Sequence, residues 1–133
     1  MRLLSGLIVC VMLVAAACGA AGSGGTVASP TPIPGAVLVT RASDTATVHA
    51  RAGDTIQIAL GTEFEWRLDP PDGVVLARGV QTYPPVRGTQ AIWSAVGPGT
   101  TTIKATGTVI CASGQACIML AILFTATVIV APR

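Results

Sequence analysis

The chain has 133 residues, of which 51% are hydrophobic, and it carries eight basic and six acidic side chains. A net charge this close to zero argues against binding to nucleic acid, which requires a strongly basic surface. The residues that follow the N-terminal segment are numerous enough for one domain with a modest core.

The N-terminal segment has the features of a secretory signal, because Arg2 precedes an apolar run that ends in small residues. Three alanines at positions 15–17 stand directly before Cys18, and this arrangement resembles the lipobox of bacterial lipoproteins. The resemblance implies that residues 1–17 are a signal peptide, that Cys18 receives lipid, and that the protein lies on the extracytoplasmic side of the cell membrane. Two alternatives stay open, namely an ordinary signal peptide cleaved nearby and an uncleaved anchor.

Residues 18–35 are predicted to be a tether between the lipidated cysteine and the domain. Residues 19–25 are rich in Gly, Ala and Ser, as in a flexible spacer, and residues 30–34 contain three prolines, as in a stiffer one. No core side chain is expected from this segment. The folded domain is therefore predicted to span residues 36–133.

Alternation of apolar and polar residues indicates short strands throughout the domain. The clearest case is the segment 63–68, where Phe64, Trp66 and Leu68 are expected to face the core as anchors. In the segment 89–96, either Ile92 or Trp93 can point inward, and the pattern leaves the choice open. Further strands are expected at 36–41, 45–50, 55–60, 74–77, 89–96, 100–110 and 118–130. Seven or eight strands without a helical period predict an all-β fold, an immunoglobulin-like antiparallel β-sandwich.

The last two predicted strands form a long hairpin. Its second arm is too short for a membrane-spanning helix, which needs about 20 apolar residues. One register pairs Ala105 with Phe124 and Cys111 with Ile118, and it requires an irregular turn or a one-residue bulge beside Cys117. This register places alternate residues in the core: Ile118, Leu120, Ile122, Phe124, Ala126, Val128 and Val130.

The alternative register of this hairpin pairs Cys111 evenly with Cys117. Because side chains alternate between the two faces of a strand, the shift turns the other face of the second arm inward. The residues buried in this case would be Met119, Leu123 and Ile129.

Cys111 and Cys117 are predicted to form a structural disulfide. Cys10 leaves with the signal and Cys18 takes lipid, so these two cysteines remain as a pair, which is normally oxidised outside the cytoplasm. A metal site is not expected, because no histidine supports the pair. The closed loop is expected to stabilise the fold by about 2 kcal/mol.

Five short motifs, in this order, resemble the chagasin family of cysteine-protease inhibitors. They are Ala52-Gly-Asp-Thr-Ile, Phe64-x-Trp66, Gly88-Thr89, Pro98-Gly-Thr-Thr-Thr-Ile103 and Phe124-x-Ala-x-Val-x-Val130. Bacterial immunoglobulin-like repeat domains share some of them. Two stretches of the family are absent here, Asn-Pro-Thr-Thr-Gly before the aromatic pair and Arg-Pro-Trp in the last loop. The fold can therefore carry over without the inhibitory contacts.

The chagasin resemblance implies three loops at one end of the sandwich that enter a protease cleft. The first loop contributes the candidate residues Gly61, Thr62 and Glu63. The second loop contributes Tyr83, Pro84 and Pro85. The third loop contributes Ser113, Gly114 and Gln115.

A search for catalytic residues yields no candidate. His49, the single histidine, is expected on the outward face of a strand. Glu63 and Glu65 would share the wet face of one strand, where nothing desolvates either carboxylate. Neither an enzymatic activity nor a cofactor nor a metal is expected.

Two functional hypotheses remain. In the first, the protein is a lipid-anchored, non-catalytic binding or structural module of the bacterial cell envelope, with a protein or cell-wall partner. The partner would meet the loops or the outer face of the last strand, where Ile110, Met119 and Leu123 form a candidate apolar patch. In the second, the protein is a chagasin-like inhibitor of cysteine proteases.

Overall fold

A computed structural model describes residues 29–80 and 86–133. Within these ranges the chain forms eight strands and one short 3₁₀ helix, Arg41–Ser43, between the first two strands. The strands are β1 Val37–Thr40, β2 Thr47–Arg51, β3 Thr55–Ala59, β4 Phe64–Leu68, β5 Leu76–Arg78, β6 Ala91–Ala95, β7 Gly99–Val109 and β8 Ala121–Ala131.

The eight strands form two four-stranded sheets, which confirms the predicted β-sandwich. The first sheet has the order β1-β3-β6-β5, and the second has the order β2-β8-β7-β4. Both sheets are mixed rather than purely antiparallel, because β1 pairs parallel with β3 and β2 pairs parallel with β8. Since the chain crosses to the second sheet for β2 and returns for β3, β1 and β3 run in the same direction as neighbours.

The core lies between the two sheets. Ile56, Ile58 and Leu60 are buried as predicted, and Trp93 points into the core. Phe64 and Trp66 face inward as predicted, but they are only half-buried and are weaker anchors than expected. The reason is that β4 is an edge strand of the second sheet, so one side of each ring lacks a neighbouring strand.

The β7–β8 hairpin has the register that pairs Ala105 with Phe124. The even pairing of Cys111 with Cys117 is wrong, because Met119, Leu123 and Ile129 are all exposed. Phe124 is buried, and Ala126, Val128 and Val130 are buried on the same face of β8.

The expected burial of Ile118 and Leu120 is wrong. The ladder ends at Thr108 and Ala121, and the exposed fractions of Ile118 and Leu120 are 80% and 51%. Strands of the first sheet have three to five residues, whereas β7 and β8 have 11 each. The end of the hairpin therefore extends beyond the facing sheet, and in place of a one-residue bulge the whole segment 110–120 leaves the ladder.

The folded body begins earlier than residue 36. Ile33, which was assigned to the tether, is buried with an exposed fraction of 6%. The side chain of Gln57 on β3 accepts a hydrogen bond from the N–H of Ile33 and donates one to the carbonyl of Thr31. The segment before β1 thus covers the outer face of the first sheet. The predicted signal peptide and Cys18 lie outside the described residues.

Candidate functional site

Four connections meet at one end of the sandwich, which we call the loop end: residues 41–46, 60–63, the described residues 79–80 and 86–90, and residues 110–120. The register fixes their position, because Thr40 pairs with Ala59 at the ends of β1 and β3, and Phe64 pairs with Val109 where β4 begins and β7 ends. Two of the three loops that the chagasin resemblance implies, those around Gly61 and Gly114, are described and lie at this end. The opposite end, with the turns 52–54, 69–75 and 96–98, is called the far end.

The loop at Gly61 is held to the loop at Gly88. The N–H of Gly61 donates to the carbonyl of Gly88 at 3.2 Å. The side chain of Gln90 accepts from the N–H of Leu60 and donates to the carbonyl of Gly61, each at 2.6 Å. These bonds fix the spacing of the two loops. Sequence reasoning missed Gln90, because nothing in the local pattern distinguishes a bridging glutamine from an exposed one.

Glu63 is exposed at the loop end and forms an ion pair of 3.4 Å with Arg41. The guanidinium of Arg41 also lies over the rings of Phe64 and Trp66, at 5.1 and 5.9 Å from their centroids. An exposed pair of this kind adds little stability, whereas the contact with the rings covers their open side. The indole N–H of Trp66 is buried there and has no hydrogen-bond partner within the described part of the chain.

The second predicted loop is only partly described. Tyr83, Pro84 and Pro85 lie outside the described residues. The residues that follow them, 86–90, reach the loop end, where Gly88 and Gln90 contact the loop at Gly61.

The third predicted loop is closed by the disulfide between Cys111 and Cys117, whose Cα atoms are 5.8 Å apart. The structure confirms this pairing. Ser113, Gly114 and Gln115 form its exposed turn, and Gly114 has a φ of +84°, a conformation that favours glycine.

The predicted apolar patch is exposed on the hairpin end beside the disulfide. Met119 has an exposed fraction of 97%, and Ile110 and Leu123 are exposed as well. Ile118 and Leu120, which were expected in the core, extend the patch. We call the five residues Ile110, Ile118, Met119, Leu120 and Leu123 the apolar tip.

The charged residues in the described parts of these loops are Arg41, Asp44, Glu63 and Arg87. His49 is exposed on β2, as expected. In residues 29–80 and 86–133, no three side chains of His, Cys, Asp or Glu are grouped so that they could hold a metal ion. No helix among the described residues is long and apolar enough to cross a membrane.

Asp72 is the carboxylate with a clearly shifted pKa, and it lies at the far end rather than near the loops. The hydrogen bond from the side chain of Thr101 and the bonds from three backbone N–H groups lower its pKa to about 2. These N–H groups belong to Val74, Val75 and Leu76. Asp72 therefore stabilises a turn.

Comparison with known proteins yields one similar structure to report. No family model matches the chain, and no curated protein matches it. The chain is similar to the solved structure of a cysteine protease inhibitor, EhICP2, from Entamoeba histolytica. The two share 22% sequence identity over 71% of this chain and 93% of the inhibitor, with a TM-score of 0.49.

Proposed function

We propose that this protein is a non-catalytic binding or structural module, held by lipid at Cys18 on the extracytoplasmic side of a bacterial cell membrane. The main supporting observation is the apolar tip, which is exposed beside a disulfide-closed loop. Exposed apolar groups gathered in one place are typical of contact surfaces. Function is inferred from such a site rather than from the fold, and the apolar side chains of the tip are suited to binding and not to catalysis.

The signal sequence supports the anchor. Three small residues precede Cys18, whereas Val9, which is larger, precedes Cys10 in the apolar run. Cys18 is therefore the better acceptor for lipid. Once the signal is removed and the disulfide is formed, it is also the single cysteine left for modification.

Fractionation of cells that express the full chain tests the anchor. The natural chain is expected in the membrane fraction, and Cys18→Ser is expected to release the protein or to leave it as an unprocessed precursor. Cys10→Ser is the matched control, because it removes a cysteine from the signal without touching the acceptor. A Cys18→Ser protein that is processed and still membrane-bound would contradict the anchor.

A second candidate function is inhibition of cysteine proteases. It is favoured by the meeting of the loop at Gly61 and the loop at Gly114 at one end of the sandwich, as the chagasin resemblance implies. The hydrogen bond from the N–H of Gly61 to the carbonyl of Gly88 supports this candidate further, because residues 86–90 directly follow the candidate residues of the second loop.

Inhibition of papain by the mature chain tests this candidate. If the loops enter the cleft, replacing Ser113, Gly114 and Gln115 together is expected to weaken inhibition, whereas Val74→Ala at the far end is expected to leave it unchanged. Absence of inhibition at micromolar concentration would remove the hypothesis for papain-like proteases.

A further inference from the structure

The apolar tip is free of charge. Between Lys104 and Arg133 the sequence contains no charged side chain, so the hairpin end itself carries no charge, although Arg41 and Asp44 lie beside Leu123. Ile118 and Leu120 are exposed because the facing sheet is shorter than the hairpin, and Leu123 is exposed because it lies on the outer face of β8. An apolar surface of this kind is suited to a partner that buries it through apolar contacts rather than through ion pairs.

The N-terminal segment meets the domain at the same end as the tip. Thr31 is held over β3, where its carbonyl accepts a hydrogen bond of 3.0 Å from the side chain of Gln57. Pro30 lies beside Gly88 at the loop end, since a Cβ placed on Gly88 would be 3.8 Å from the Cβ of Pro30. Chain that precedes Pro30 therefore starts from the loop end and not from the far end.

The distance from Cys18 to this point is limited. Pro30 lies 12 positions after Cys18, and the chain between them spans at most roughly 40 Å when fully extended. An 11-residue strand such as β8 is itself about 36 Å long. As a flexible coil this stretch would average roughly 20 Å, which is less than the strand's length, so lipid on Cys18 would hold the loop end nearer to the bilayer than the far end.

We propose that the apolar tip inserts into the lipid surface to which Cys18 is anchored, with the bilayer as its partner. This proposal rests on the proposed function for the anchor itself. The tip enters the boundary between headgroups and acyl chains, as other apolar surfaces do at membranes. The far end then points away from the membrane. Because the five tip residues carry no charge, burial of apolar area rather than charge drives the contact.

Met119 offers a reporter for this contact. The chain has three methionines, at positions 1, 12 and 119, so Met119 is the single one in a chain that begins at Cys18. It is also the most exposed member of the tip. Methionine oxidation by a water-soluble oxidant follows exposure of the sulfur and is read by mass.

The test uses the mature chain, from Cys18 onward, coupled through the Cys18 thiol to maleimide lipid in phosphatidylcholine vesicles. Cys111 and Cys117 are joined as a disulfide, so the coupling is specific. We expect hydrogen peroxide to oxidise Met119 at least roughly fivefold more slowly on vesicles than in solution. Equal rates on vesicles and in solution would overturn the proposal, and they are the result expected if the tip instead binds a protein.

Two matched variants show whether the protection belongs to the tip. A Val74→Met and Met119→Leu double variant moves the reporter to the far end, where Val74 has an exposed fraction of 75%, and its oxidation is expected to be unaffected by coupling. The Ile118→Asp and Leu123→Asp double variant changes only exposed positions and is expected to restore oxidation of Met119 to the solution rate. The proposal would also be overturned if coupling protected a methionine at position 74 as well as it protects Met119. Protection of Met119 that persists in the Ile118→Asp and Leu123→Asp variant would overturn it too.

This experiment does not depend on lipidation in the cell, because the chemical coupling supplies the anchor. A natural chain that carries lipid, together with an unprotected Met119, would leave the proposed anchor intact and refute the tip. A natural chain without lipid, together with a protected Met119, would support the tip's affinity for lipid and refute the anchor.

Discussion

The side-chain oxygen of Gln57 accepts a hydrogen bond of 2.8 Å from the backbone N–H of Ile33, across 24 residues of sequence. The amide nitrogen of the same side chain donates to the carbonyl of Thr31 and to the hydroxyl of Thr89. Gln57 is thereby fully buried on the outer face of the first sheet. This arrangement joins the N-terminal segment to β3 and directs the chain before it toward the loop end.

Gln57→Leu is expected to lower the free energy of unfolding by about 2–3 kcal/mol, because it leaves buried backbone groups of the N-terminal segment without partners. Urea denaturation measures the change. Gln115→Leu is the matched control, since Gln115 lies on the exposed turn of the disulfide loop and should alter stability by less than about 0.5 kcal/mol. Equal effects of the two variants would show that the Gln57 bonds do not hold the segment.

Gly107→Ala is expected to lower stability by about 1–2 kcal/mol through overpacking. A Cβ at this position would lie 2.9 Å from Cζ3 of Trp66 and 3.1 Å from Cγ1 of Ile122. A double-mutant cycle with Trp66→Leu checks the cause, because removing the indole should reduce the loss and leave only the tighter contact with Ile122. The same loss in both backgrounds would contradict a clash with Trp66.

Reduction of the disulfide is expected to lower the free energy of unfolding by about 2 kcal/mol without changing the β7–β8 register. The ladder from the Gly99–Val130 pair to the Thr108–Ala121 pair does not include the closed loop, so the sheet persists. Urea denaturation with and without reductant measures the effect. The Cys111→Ser and Cys117→Ser double variant should be as unstable as the reduced protein and should not respond to reductant. A response of this variant would show that the reductant acts at a site other than the disulfide.

The lowered pKa of Asp72 predicts a loss of stability in acid. Its folded pKa of about 2 lies below the ordinary value of 3.8, so the ionised form favours the folded state. The contribution is present above about pH 4 and is lost as the pH falls toward 2. Carboxyl NMR titration measures the pKa directly, and Asp72→Asn should remove this part of the pH dependence of thermal unfolding. An Asp72 carboxyl that titrates near 3.8 would contradict the hydrogen bonds at the turn.

The local pattern predicted the hairpin but neither its register nor its limits. The period of two left two registers open, and the structure has the one that pairs Ala105 with Phe124. Burial of Ile118 and Leu120 depends on how far the facing sheet extends, which no alternation within β8 can reveal. The burial of Gln57 could not be predicted from β3 either, because the residues that cover it, Thr31 and Ile33, come before β1.

The candidate site was predicted in part. The chagasin resemblance implied that Gly61 and the disulfide loop lie at one end, and the strand register puts both there, while their role in binding stays a prediction. The bridge through Gln90 and the position of Pro30 depend on contacts between segments far apart in sequence. Such contacts leave no periodic signal, so these residues could be found only from the structure.

The mass of the mature N-terminus in the natural protein tests the central claim, the anchor at Cys18, most directly. We expect the chain to begin at Cys18 and to carry a lipid adduct on that residue. An unmodified chain that begins after Cys18, or a chain that retains residues 1–17, would contradict the claim.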